Sequence, residues 1–263
     1  MFFFHIFYQS INPKTTFFLS FYFCRSLTWD PTIGESAGEM EFFIRYLIMS
    51  LLTNLQSKAK QYKKDEKQEF KEAKDSKANS QIKAYLFILN NTFYLNEQLG
   101  ESSSTAPILQ NKSDDVDGKD FKITSPWFKH NIQELFEGSL KNYLKYWERL
   151  QIHLSEVPQS DLNFTKNDNK TLTLESGRIL KARFSGFNSD FEKIFEMQQG
   201  ITIIDPKLRK KLLLGIKSVF LSGYMEFFDK YSQYHFSKKN QEEYLRYPPK
   251  KLNAMLGNMF SSY

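Results

Sequence analysis

From Met40 onward the apolar positions recur at helix spacing. Met40, Phe43, Ile44, Leu47, Leu51, Leu52 and Leu55 fall on one stripe and predict a first helix. The charged run that follows, QSKAKQYKKDEKQEFKEAKDSKANSQ, reads as a solvated extension of that helix or as an insertion. A second helix over about 79–98 carries Ile82, Tyr85, Leu86, Leu89 and Leu95. A polar stretch over about 100–124 reads as a loop. The third helix opens with Ser125 as N-cap and Pro126 at the first helical position. It runs through Ile132, Leu135, Phe136, Leu140, Tyr143, Leu144, Trp147 and Leu150 to Leu154, roughly 44 Å at the α-helical rise. A second polar loop spans about 155–176, where TLTLES alternates as a strand does but is short and isolated. Leu180, Phe184, Phe187, Phe191 and Ile194 then form a 4-3-4-3 seam.

Gly200 and Pro206 separate that seam from another long helix, which carries Leu208, Leu212, Ile216, Phe220, Tyr224, Phe227, Phe228 and Tyr231. Pro248 and Pro249 introduce a closing helix with Leu252, Met255, Leu256, Met259 and Phe260. All eight prolines lie outside helix interiors in this reading. The pattern predicts an all-α fold whose consecutive helices pack as antiparallel neighbours, in a bundle or a stacked rod. No fixed-period repeat names a standard solenoid.

Residues 1–28 differ from the rest of the 263-residue chain: ten of the first 23 are Phe or Tyr. Their apolar runs are broken by His5, Asn12, Pro13 and Lys14, too short to span a bilayer, and no basic region precedes them. They read as a poorly structured or mispredicted extension, with a signal anchor as the alternative. Residues 29–263 are taken as the helical region. One cysteine, Cys24, excludes an internal disulfide framework and a cysteine-built zinc site, and favours a reducing, cytosolic setting.

The net charge of +6 is unevenly placed. Residues 207–263 hold 11 Lys and Arg against four Asp and Glu, whereas the other 206 residues hold 25 against 26. Such asymmetry points to an anionic partner, either a membrane surface or a nucleic acid. Lys207, Arg209, Lys210 and Lys211 open one helix, where they oppose its macrodipole. Lys238, Lys239, Arg246, Lys250 and Lys251 gather before the last helix, interleaved with Tyr244 and Tyr247. The bland alternative is a solvated surface.

Catalytic signatures are missing. There is no phosphate-binding glycine loop, nucleophile elbow or zinc-protease helix. Asp115-Val116-Asp117-Gly118 imitates a calcium loop, but Thr124 stands where the bidentate Glu belongs, so a flexible acidic loop is the better reading. His130 and His153 are too far apart on one helix to share a metal, and His235 reads as an ordinary helix-end residue. Asp190, Glu192 and Glu196 read as a solvated helix face. No enzyme activity, cofactor or metal is expected.

The residues themselves resemble a family. LKARFSGFNSDFEKIFEMQQGITIIDPKLRKKLLLGIKSVFLSGYMEFFDKY is similar to the carboxy-terminal region of the seventy-kilodalton exocyst subunit (exocyst complex component 7). Lys181, Phe184, Phe187 and Asn188 match its basic-x-x-Phe-x-x-Phe-Asn segment; Asp205, Pro206, Tyr224 and Phe227 match the next helix. Phe236–Lys239 and Tyr244-Leu245-Arg246-Tyr247 match its closing aromatic, Lys-rich turn and Tyr-x-basic-Tyr pattern. Upstream, Leu86, Phe87, Asn90 and Asn91, then Trp127–His130 and Trp147, resemble earlier segments, so the likeness covers about residues 41–263.

This resemblance implies an elongated rod of stacked antiparallel helical bundles and a non-enzymatic role in tethering secretory vesicles at the plasma membrane in exocytosis. It implies partners among the other exocyst subunits, Rho-type small GTPases and anionic membrane phosphoinositides, and a cytoplasmic protein recruited peripherally to the plasma membrane. Phosphatidylinositol 4,5-bisphosphate would bind the basic distal end. By position, Arg246 carries over, with Lys238, Lys239, Lys250 and Lys251 beside it and Lys181 and Arg183 as a second basic stretch. Glu243 departs from the family, which has a basic residue there. The family's amino-terminal coiled coil has no counterpart here, which implies a truncated sequence or a reduced paralogue. The alternatives are a helical interaction scaffold that has lost lipid binding and, further off, a basic nucleic-acid-binding module; no nucleic acid is expected.

Overall fold

The computed structural model describes residues 39–69, 73–99, 129–166 and 168–260. Glu39–Leu47 belong to one compact unit, of which a helical backbone is described, and Ile48–Tyr263 to a second. Helices α1 (Glu39–Glu69) and α2 (Ala73–Leu99) are followed by a π-helical turn Lys129–Gln133, α3 (Glu134–Glu148) and a 3-10 turn Arg149–His153. Strands β1 (Phe164–Thr165) and β2 (Asp168–Leu172) come next, then α4 (Leu174–Glu196), α5 (Pro206–Tyr231), α6 (Gln241–Tyr244) and α7 (Pro249–Gly257). The described residues are thus all-α apart from one small hairpin.

The predicted helices are present, with three differences. The charged run is a helix extension: α1 continues to Glu69, and α2 starts at Ala73, ahead of the predicted 79. Lys, Glu, Gln and Ala are strong helix formers, so helix forms there without an apolar stripe to mark it. TLTLES is not isolated. Antiparallel β2 pairs with β1, and Thr171 bridges to His235, whose N–H donates to Lys170 O at 2.8 Å while Leu172 N–H donates to His235 O at 3.1 Å. His235 is therefore an edge residue of this sheet. Finally, α4 begins before the predicted loop end, because Thr173 is its N-cap and accepts from Ser176 N–H at 3.5 Å. The predicted Ser125–Pro126 helix start, the loop at 100–124 with its calcium-loop decoy, and residues 1–28 lie outside the described residues.

Pairwise contacts fix the helix directions. Gln81 meets Tyr146 and Phe93 meets Phe136, so α2 runs antiparallel to α3. Tyr143 reaches Gln198 just beyond α4, and His153 reaches Asp190, so α3 is antiparallel to α4. Phe184 meets Phe227 and Phe187 meets Tyr224, making α4 antiparallel to α5. The main core unites the inner faces of α2 to α5 with α7, through Ile82, Leu89, Trp147, Phe187, Phe191, Leu212, Phe220 and Leu256. A second cluster, Val157, Leu162, Leu172, Leu180, Phe184, Phe227, Tyr231 and Phe236, lies under the hairpin and the segment after α5.

Caps explain the boundaries. Asp205 Oδ1 accepts from Lys207 N at 2.8 Å and Leu208 N at 3.0 Å, with Pro206 at the helix start where no N–H is missed. Gly200 has φ of 79°, a left-handed conformation that glycine takes without a Cβ penalty.

Two glycines in helices give opposite expectations. A Cβ on Gly177 would sit 2.6 Å from the Phe236 carbonyl oxygen, whereas one on Gly138 meets nothing within 4 Å. Gly177→Ala should cost about 1–3 kcal/mol by forcing backbone apart. Gly138→Ala should stabilise by about 0.5–1 kcal/mol through lower chain entropy. Thermal melts of both variants check this; shifts of the same sign would refute the packing described at Gly177.

Candidate functional site

The segment Tyr244–Tyr247, running from the last residue of α6 towards α7, is fastened to α4 and α5 by four polar contacts. Asn188, buried on α4, donates its side-chain N–H to Tyr244 O at 2.9 Å. Tyr224, buried on α5, donates its hydroxyl to Tyr247 O at 2.5 Å. Glu192 Oε1 accepts from both the Tyr247 hydroxyl at 2.6 Å and Arg246 Nη1 at 2.5 Å. The aromatic rings of Phe191 and Tyr247 meet edge-on at 5.2 Å, closing the contact.

Two distant sequence segments thus meet, Lys181–Asn188 and Tyr244–Tyr247. Lys181 lies over the Tyr244 ring at 5.8 Å, and Lys251 over the Tyr247 ring at 5.2 Å. Lys251 Nζ also donates to Arg246 O at 3.2 Å. The structure therefore brings Lys181, Arg246 and Lys251 around one short aromatic segment. Lys238 and Lys239 are exposed on the loop leading to it, where Gln241 Oε1 accepts from the Phe236 and Ser237 N–H groups and Phe236 packs on Tyr244 at 6.0 Å. Lys250 is exposed on the first turn of α7. Arg183 does not join them: its guanidinium donates to Ile152 O at 2.5 Å, against the end of the α3 helical stretch. Glu243 faces Asn240, whose side chain donates to it at 3.0 Å, and leaves a negative charge on α6.

Glu192 was not separable from its neighbours as a sequence feature. Asp190 and Glu192 are not the solvated carboxylates expected, since Asp190 binds His153 Nε2 at 2.7 Å. Their partners lie 37 and 54 residues away, beyond the reach of helix periodicity. The Tyr247 hydroxyl holds the Glu192 carboxyl below the usual range, with Arg246 adding to this against the cost of burial. Burial, then Glu192, pushes the Tyr247 hydroxyl up, so it stays a donor at neutral pH.

The pH consequence has a definite sign. A carboxyl whose folded pKa is depressed contributes stability above its unfolded value, about 4.3 for Glu, and loses that contribution as pH falls through the lower folded value. The stability gap between the wild type and Glu192→Gln should hold at pH 6 and shrink below about pH 4. Urea melts at both pH values measure it; a gap independent of pH would mean the carboxylate is not what fastens the segment.

The cations that open α5 have a structural use. Lys207 pairs with Glu97 of α2 at 2.6 Å, and Lys211 with Glu137 of α3 at 3.2 Å. Their opposition to the macrodipole is thus offset by ion pairs to neighbouring helices. Lys230 likewise pairs with Glu156. No group of metal-binding side chains occurs among the described residues.

A family model described as the C-terminal part of the Exo70 exocyst complex subunit matches residues 28–258. The chain belongs to the Exo70 exocyst-subunit family. Exocyst complex component 7 of Drosophila melanogaster is 28% identical over 233 residues, covering 88% of this chain and 28% of its own. Exocyst complex component EXO70A1 of Arabidopsis thaliana is 22% identical over 226 residues, covering 86% and 31%. A solved structure of exocyst subunit Exo70p superposes with a TM-score of 0.54 at 20% identity, over 83% of this chain and 36% of that one. At that identity the structure supports the helical fold alone. The chain spans about a third or less of the length of the curated Exo70 relatives. The family is one of complex subunits, which agrees with a sequence that carries no catalytic motif.

Proposed function

We propose that this chain acts as a non-enzymatic exocyst tethering component that helps dock secretory vesicles at the plasma membrane. The observation that carries the reading is the family match over residues 28–258. Its helical faces would contact other exocyst subunits, and Rho-type small GTPases are further partners of the kind the family suggests. In this reading the basic end binds anionic phosphoinositide, phosphatidylinositol 4,5-bisphosphate in particular. Lys238, Lys239, Lys250 and Lys251 supply exposed charge, Lys181 adds to it from α4, and Arg246 is shared with Glu192.

Attachment would be peripheral, from the cytoplasm. No helix among the described residues is long and apolar enough to cross a membrane. Each basic residue near an anionic surface contributes about 1 kcal/mol, so the four exposed lysines, with half-buried Lys181 beside them, suffice for reversible recruitment. Arg183, turned to Ile152, contributes only after leaving that carbonyl.

A second reading, a helical scaffold that has lost lipid binding, draws on two observations. Arg246 is engaged by Glu192, and Glu243 sets a negative charge on α6. Affinity purification of the tagged chain from its own cells, scored for the other exocyst subunits, tests the tethering role common to both. Their recovery at levels above a core-disrupted variant is expected; their absence would overturn it.

A further inference from the structure

Among the basic side chains near the end of the chain, Arg246 is set apart by a carboxylate. Lys238, Lys239 and Lys250 are exposed and make no ion pair among the described residues. Lys181 and Lys251 lie over tyrosine rings. Arg246 is paired with Glu192 of α4 at 2.5 Å, yet 49% of its side chain stays open to solvent. The carboxylate cancels that charge and engages the guanidinium, whose planar fork of donors also suits a phosphate.

This ion pair is separable from the fastening of the segment that carries it. Tyr224 donates to Tyr247 O at 2.5 Å and Asn188 to Tyr244 O at 2.9 Å, both from buried side chains. The Tyr247 ring meets Phe191 edge-on at 5.2 Å, and Lys251 donates to Arg246 O at 3.2 Å. None of these contacts uses the Arg246 guanidinium. The Glu192 side chain is itself 33% exposed, and ion pairs this open to water are weak. Breaking the pair therefore frees the guanidinium while the backbone around it stays held.

We propose that Glu192 is a built-in competitor for Arg246, a latch that a phosphate of a membrane headgroup displaces, which rests on the phosphoinositide reading and deepens it. A phosphomonoester carries roughly −1.5 to −2 charges and three acceptor oxygens, so it outcompetes a single carboxylate for a guanidinium. Phosphatidylserine offers only singly charged groups and displaces Glu192 less well. The latch thus adds selectivity. Surfaces with singly charged headgroups leave Arg246 on Glu192, and bisphosphorylated headgroups release it. The pairing of Arg246 is then the resting state of the site and not its loss.

Co-sedimentation of the full chain with phosphatidylcholine vesicles tests this. The vesicles contain either phosphatidylinositol 4,5-bisphosphate or phosphatidylserine at matched charge, and soluble inositol 1,4,5-trisphosphate is titrated alongside. Glu192→Gln is isosteric and still accepts from the Tyr247 hydroxyl, but has no charge to hold Arg246. It should raise affinity for the phosphoinositide vesicles about fivefold, the effect of one more basic residue at the surface, with a smaller gain on phosphatidylserine. Glu242→Gln removes a charge from exposed α6 and should leave the ratio of the two affinities unchanged. In an Arg246→Gln background, the Glu192 substitution should leave that ratio unchanged as well. Tyr247→Phe takes a hydrogen bond from Glu192 but keeps its charge, and should give no gain. A thermal melt establishes that each variant folds. Phosphoinositide binding by the unaltered chain with no gain in Glu192→Gln would overturn the latch and leave the lipid reading standing. A gain that survives loss of Arg246, or that Tyr247→Phe reproduces, would overturn it too. So would a gain confined to the soluble headgroup. Binding of neither chain to any vesicle would overturn both.

Discussion

Trp147→Ala is expected to cost about 3–5 kcal/mol of folding stability. Trp147 is fully buried on α3, stacked on Phe220 of α5 at 5.8 Å and tilted against Phe191 of α4 at 6.3 Å. It stands where three helices meet. Removing the indole deletes apolar area from all of them and leaves a cavity that rigid helix backbones cannot close. Domains are stable by about 5–15 kcal/mol, so this loss is a large share of the total. Leu214→Ser, on an exposed position, should change stability by about 0.5 kcal/mol or less. Urea melts of both variants supply the comparison; a Trp147→Ala loss below 1 kcal/mol would contradict its position at the junction.

The second large effect concerns charge. Replacing Lys238, Lys239 and Lys250 together with Glu should remove about 3 kcal/mol or more of attraction to an anionic vesicle. That corresponds to roughly a hundredfold or greater loss of affinity. Binding of the unaltered chain should also weaken between about 0.05 and 0.3 M salt as screening shortens. These three side chains are exposed and make no ion pair among the described residues, so the fold should tolerate their reversal. Arg246→Glu is a poorer probe. It would set a carboxylate against Glu192 and loosen the segment it was meant to test. Retained affinity in the triple variant would remove these lysines from the site.

The helices were legible because their buried faces are written in strict periodicity. Leu180, Phe184, Phe187, Phe191 and Ile194 are all buried, as the seam predicts, and so are Leu208, Leu212, Ile216, Phe220, Tyr224 and Phe227. Apolar stripes record only packing, however. The extension of α1 to Glu69 rests on intrinsic helix propensity, which leaves no stripe to read. The β1–β2 hairpin depends on partners at His235 and Phe164, a pairing that no local pattern in TLTLES encodes.

At the candidate site, the lysines and Arg246 were visible as a cluster in sequence. What holds them was not. Asn188, Glu192 and Tyr224 read locally as a polar position, a surface acid and a core aromatic. Only the antiparallel α4–α5 pairing turns all three toward the Tyr244–Tyr247 backbone and side chains. Likewise Lys207 and Lys211, grouped with the basic residues by composition, serve helix docking.

Co-sedimentation of the full chain with liposomes tests the central reading most directly. Vesicles containing phosphatidylinositol 4,5-bisphosphate are compared with phosphatidylserine vesicles of matched total charge. The account predicts stronger sedimentation with the phosphoinositide, reduced by reversal of Lys238, Lys239 and Lys250. Equal binding to both vesicles, or none to either, would contradict phosphoinositide recognition and leave the helical scaffold as the function of this chain.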